Sequence, residues 1–189
     1  MRRCCRLVRV IFGVRSGTLI FGVVRAWTAS IDAEALAVCG ETLSSIADGA
    51  RVTEEEAFRR LYAFAAECTD AAALPDIVMV AHKGTMELRL NRAAESRYEI
   101  VAPFNQRIID IVGLCESHLL RRGVRPPRSH AGTSALTLDF AREYVGLPPE
   151  PRPHTGLAGA DGAGEVFYRL TFGRPWLADF AAHQLPPYL

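Results

Sequence analysis

The chain has 189 residues, 49% apolar and 23% charged, which suits a globular protein that buries a core, as one domain or one domain with tails. Its net charge of +1 conceals an asymmetry: residues 1–31 hold six arginines and no acid, so the remaining chain carries −5. A mildly acidic body argues against a nucleic-acid-binding domain, which would show a clustered basic face. Lys83 is the single lysine, a usage that reflects a GC-rich coding sequence more simply than a need for guanidinium contacts.

The stretch RVIFGVRSGTLIFGVV repeats Ile-Phe-Gly-Val. Arginines interrupt its apolar runs, so it is too short to span a bilayer and lacks the continuous core of a secretory signal. Arginines, Ser and Thr without acid suit a mitochondrial transit peptide over residues 1–31, but Gly13, Gly17 and Gly22 disfavour the amphipathic helix such a peptide forms. Folding about Arg15-Ser16-Gly17 uses the residues more completely. A β-hairpin over 7–26 places Val8, Val10, Phe12 and Val14 opposite Val24, Gly22, Ile20 and Thr18.

A helix is predicted over 33–47, with Leu36, Cys39, Leu43 and Ile46 on one face. Thr53-Glu54-Glu55-Glu56 is a capping box that opens a second, over 54–68. Residues 77–101 alternate. With Lys83-Gly84 as a turn, Ile77, Met79 and Ala81 face Leu90, Leu88 and Met86, and Tyr98 and Ile100 supply a third strand of a meander. Helices follow over 105–121, along Ile108, Ile111, Val112, Cys115 and Leu119, and over 134–145, capped by Thr133 and ended by Gly146. Residues 147–164 read as a Pro- and Gly-rich linker after a core domain spanning 1–146. Residues 165–189 read as a C-terminal strand over 165–172 and a helix from Pro175, with Trp176, Leu177 and Phe180. The expected fold is α+β: an antiparallel sheet built from the amino-terminal hairpin and the meander, helices on one face, and a strand-helix extension.

Chemistry-bearing residues are scattered. Cys115 and His118 lie three apart on one predicted helix, half of a zinc site that two more ligands would complete. Cysteine hydrolysis would need Cys68 or Cys115 beside His82 or His130, but both thiols fall on apolar helical stripes. The segment GLAGADGAGEV lacks the glycine order of a phosphate loop, so no cofactor is expected. LPPEPRPH has prolines spaced for polyproline recognition, with Pro148, Pro149, Pro151 and the nearby Trp176 as partner-binding candidates. Five cysteines without framework spacing favour a reducing, cytoplasmic setting. The expected function is non-enzymatic: a regulatory or adaptor-type protein, or an accessory subunit, that binds a protein partner and neither nucleic acid nor the membrane interior. The alternatives are a small Cys/His hydrolase or zinc enzyme using Cys115, His118, His82 and His130, and a subunit imported into mitochondria.

Overall fold

The structure, a computed structural model, describes residues 40, 42, 53–67, 77–103 and 107–189. The predicted hairpin over 7–26 and helix over 33–47 lie outside the described residues. Five α-helices and two short strands are described: α1 (Glu54–Glu67), β1 (Met79–Ala81), α2 (Thr85–Tyr98), β2 (Ile108–Asp110), α3 (Ile111–Arg121), α4 (Leu138–Tyr144) and α5 (Gly156–Phe172). A 3-10 turn follows at Ala178–Phe180. The strands pair in parallel, so the expected antiparallel sheet with a three-stranded meander gives way to a mostly helical protein.

The chain divides into two compact units. The described part of the first comprises residues 40, 42, 53–67, 77–79, 88–103, 107 and 152–157; the second comprises Val80–Glu87, Ile108–Pro151 and Ala158–Leu189. In the first, Thr53 accepts a hydrogen bond from the Glu56 amide at 3.2 Å, as a helix cap does. Phe58, Leu61, Tyr62 and Ala65 form the buried stripe of α1 and pack with Ile77, Ala94 and Ile100. The acidic first turn is used structurally. Glu55 and Glu56 pair with Arg59 and Arg60 one turn on, and Glu54 accepts from the Tyr98 hydroxyl at 2.6 Å and from the Arg97 guanidinium. Burial, reinforced by Glu95, pushes the Tyr62 phenol up to about 12.

The meander fails for a local reason. Between Met86 and Glu99 no residue is β-branched, and Glu, Arg, Leu and Ala dominate, all better suited to helix than to strand. Met86, Leu88 and Leu90 alternate by chance; Ala94 and Asn91 make the buried face of α2 instead. Lys83-Gly84 does turn the chain, with Lys83 at φ 58°, but it turns from strand into helix. Asp110 fixes it by accepting from the Gly84 amide at 3.0 Å and the Lys83 amide at 3.3 Å. A Cβ on Gly84 would stand 1.9 Å from Ile108 Cδ1, so any larger residue there would force the Ile108 side chain to move.

The other helices are also redrawn. Asp110 caps α3 through the Val112 amide at 2.8 Å, so the helix predicted from residue 105 starts after β2. Thr137, not Thr133, caps α4, accepting from the Phe140 amide at 3.0 Å. Ser134, placed in that helix by the sequence reading, sits instead in an isolated antiparallel bridge with Arg128. The expected linker over 156–164 and strand over 165–172 form one helix, α5, in which Gly162, Ala163, Val166, Phe167 and Leu170 are buried. Its glycines cost helix propensity, but they admit close neighbours. A Cβ on Gly162 would lie 2.2 Å from Arg142 Nη1, and one on Gly164 2.6 Å from the Trp176 ring. The closing helix expected from Pro175 is only the 3-10 turn.

Two substitutions test this account. Glu99 follows α2 at φ 50° while the Ile100 amide reaches back to the Glu95 carbonyl at 3.3 Å, a left-handed cap position that suits glycine. Glu99→Gly is expected to stabilise the first unit by about 0.5–1 kcal/mol in urea unfolding; an unchanged or lower midpoint contradicts the cap assignment. In the second unit Glu165 and Arg169 are both fully buried, with Arg169 Nε 2.7 Å from Glu165 Oε1. Glu165→Ala strands the guanidinium and is expected to cost about 3–5 kcal/mol, read as loss of the cooperative thermal transition of that unit.

Candidate functional site

In the second unit α3 packs against α4, and their facing residues build a chain of polar and aromatic contacts. Cys115, His118 and Arg122 recur along one side of α3 and its cap, at helical spacing. Tyr144, in the last turn of α4, meets them. Arg122 Nη1 donates to the Tyr144 hydroxyl at 2.9 Å, and that hydroxyl lies 2.8 Å from His118 Nδ1. With an oxygen lone pair taken by the guanidinium, the phenol hydrogen is free to be donated to Nδ1, which leaves the imidazole proton on Nε2. Burial, then the charges of Arg121 and Arg122, hold His118 below the usual imidazole range.

Aromatic rings extend the cluster. Tyr144 stacks on Phe140 and on Tyr188, with ring centroids 6.3 and 5.2 Å apart. The Arg122 guanidinium sits 3.7 Å over the Tyr188 ring, and the Tyr188 hydroxyl donates to the Tyr144 carbonyl at 2.8 Å. One of the carbonyls left open at the end of α4 is thereby satisfied.

The sequence candidates are distributed as follows. Cys115 is a free thiol with no exposed surface, and burial pushes it up to about 11, so it stays protonated and unreactive near neutral pH. His118 turns its Nδ1 to Tyr144. His82 donates from Nε2 to the Leu136 carbonyl at 3.1 Å. His130 stands exposed in the Arg128–Ser134 loop. Cys68 lies outside the described residues. Among the described residues no three His, Cys, Asp or Glu side chains are grouped to hold a metal ion, and the contacts of Cys115, His118, His82 and His130 are separate. What the geometry offers is a hydrogen-bonded Arg–Tyr–His relay next to a shielded thiol, not a nucleophile beside its base.

The proline candidates have a different surrounding. Pro148, Pro149 and Pro151 are exposed, yet the backbone carrying them is fastened. Arg142 Nε donates to the Pro148 carbonyl at 2.8 Å, and the Glu150 amide donates to Asp139 Oδ1 at 2.8 Å. Arg142 itself is 1% exposed; burial pushes its guanidinium down, with Glu150 and Asp139 offsetting. Trp176 is half-buried, stacked at 6.0 Å on Tyr168 and lying over Gly164. The residues that sequence reasoning overlooked are Arg122, Arg142, Tyr144, Glu165, Arg169 and Tyr188. Only Glu165 and Arg169 left a readable signal, their four-residue spacing.

The depressed imidazole gives a pH test. A histidine that is held neutral in the folded state supplies stability fully present above its unfolded value, about 6.5, and lost as pH falls through the lower folded value. Between about pH 7.5 and about pH 5, the melting temperature of the unsubstituted protein is therefore expected to fall further than that of His118→Gln. Parallel pH profiles would remove the relay from the stability of the unit.

No helix among the described residues is long and apolar enough to cross a membrane. Comparison of the chain with protein-family models, curated proteins and solved structures finds no match in any of them.

Proposed function

We propose that the chain is a non-enzymatic interaction protein of the adaptor or accessory-subunit type, acting in the cytoplasm, and that its contact element is the segment 147–151, Leu-Pro-Pro-Glu-Pro. One observation carries the reading: the three proline rings face outward while Arg142 and Asp139 hold the backbone beneath them. Proline fixes its own φ, and it biases the residue before it toward extended geometry. Two further anchors from α4 reduce what the segment would lose on binding. A segment ordered before the encounter spends less conformational entropy on complex formation. The chemistry suited to such a ligand is a groove lined by aromatic rings, as in SH3, WW and EVH1 domains.

The shielded thiol weighs against the hydrolase alternative, since a protonated Cys115 without surface cannot attack a substrate. The expected second contact surface, an edge of the amino-terminal hairpin, falls outside the described residues. The carboxyl-terminal section contributes differently from the sequence expectation. Much of α5 is buried in the second unit, so the exposed prolines of 147–151 are taken as the contact element.

The reading is tested by titrating the full chain with isolated SH3, WW and EVH1 domains in a calorimeter, beside Pro149→Ala/Pro151→Ala. At least one domain is expected to bind at micromolar affinity, with the double variant about tenfold weaker or worse and its melting temperature unchanged. Failure of every domain to bind, or equal binding by the variant, refutes it.

A further inference from the structure

The end of α3 carries a second surface, independent of the proline segment. From Ser117 to Leu138 the sequence has no acid and four arginines: Arg121, Arg122, Arg125 and Arg128. This basic stretch lies in a body that is otherwise net negative. Arg128 pairs with Glu116 at 2.9 Å, and Arg122 is engaged by Tyr144 and Tyr188. Arg121 and Arg125 are exposed, and no carboxylate among the described residues forms an ion pair with either. Next to these charges in the chain stand two outward aliphatic side chains, Leu120 at 59% and Val124 at 41% exposure. Tyr188, 37% exposed, lies beneath the Arg122 guanidinium.

The arrangement is held rigid. Gly123 adopts φ 71°; its amide bonds the Leu120 carbonyl at 2.9 Å, and the Val124 amide bonds the Leu119 carbonyl at 3.0 Å. That paired closure fixes the turn without help from a partner. Here, then, are outward aliphatic side chains next to unpaired arginines in the chain, with a tyrosine beneath Arg122, on a preformed turn. Arginines attract anionic headgroups, aliphatic groups enter the boundary below them, and tyrosine favours the interface itself. Nucleic acid would match the charge but leave Leu120 and Val124 without an apolar partner, because unstacked bases seek aromatic platforms. We infer that the turn closing α3, from Leu120 to Arg125, docks the protein on an anionic lipid surface.

The test is vesicle flotation of the full chain at physiological salt, comparing pure phosphatidylcholine with vesicles containing about 30% phosphatidylserine. Binding is expected to the anionic vesicles alone. Because residues 1–31 also carry arginines, the decisive comparison is internal: Arg121→Gln/Arg125→Gln is expected to weaken partitioning about 25-fold, roughly fivefold for each charge. Leu120→Ser/Val124→Ser should weaken it about tenfold. All four positions are exposed, and circular dichroism with unchanged melting confirms that the variants fold. Equal flotation of the arginine variant and the unsubstituted chain overturns the inference. So does absence of flotation by the unsubstituted chain, including the case in which it binds a single-stranded oligonucleotide through Arg121 and Arg125.

Discussion

The second unit depends on one buried ion pair. Glu165 and Arg169 stand one helical turn apart on α5 with no solvent contact, and neither is satisfied by the other alone. Glu165 also accepts from the backbone amides of Trp176 and Leu177, at 3.1 and 2.9 Å. Arg169 also donates to the carbonyls of Val145 and Phe180, at 3.1 and 2.8 Å. The pair thus ties three segments together: the end of α4, α5 and the returning stretch 176–180 that leads into the 3-10 turn. Removing two charges from water costs several kcal/mol each, so an apolar pair of equal volume could match the net stability. What the charges add is selection of a single arrangement, because only one path of the returning chain offers both amides and carbonyls in reach.

Arg142, within α4, applies the same device. Its Nε holds the Pro148 carbonyl, its guanidinium carbon lies 5.6 Å from the centre of the Phe180 ring, and its Nη1 is buried without a hydrogen-bond partner. An unsatisfied buried donor costs about 1–3 kcal/mol, partly recovered from the ring face. Gly162 makes this tolerable by leaving space where any side chain would collide with Nη1. Gly146 does the same at the helix end, where a Cβ would come within 2.4 Å of the Gln184 carbonyl oxygen. The unit is therefore built around arginines acting as caps for backbone carbonyls, with glycines cut to fit them.

How far the sequence could be read follows from which forces were local. The start of α1 was legible because Thr53 and the three glutamates form a cap within four residues. The break near Gly146 was legible because glycine at positive φ ends helices. Residues 85–98 were misassigned because Met86, Leu88 and Leu90 mimic strand alternation while propensity pointed to helix, and propensity prevailed. Residues 156–172 were misassigned because four glycines in nine residues resemble a connector. Their reason is Arg142 and Trp176, both distant in sequence. In the site, the candidate residues themselves were visible, but not their company: nothing near His118 in the sequence announces Tyr144 or Tyr188. The buried pair looked like one of the many exposed Glu–Arg spacings on helix surfaces, such as Glu55–Arg59, and only tertiary burial distinguishes the two.

Both units draw on chain segments separated by long stretches of sequence, and this bears on synthesis by the ribosome. Until Phe180 has left the exit tunnel, the carbonyl that completes Arg169 and the amides that complete Glu165 do not yet exist together beside α5. A nascent chain halted at Phe172 would hold a finished helix whose buried pair has the Val145 carbonyl but lacks the Phe180 carbonyl and the Trp176 and Leu177 amides, and it would keep those charges hydrated rather than dock them. Assembly of this unit therefore waits on the arrival of residues 176–180, unlike the amino-terminal-first order usual for contiguous domains.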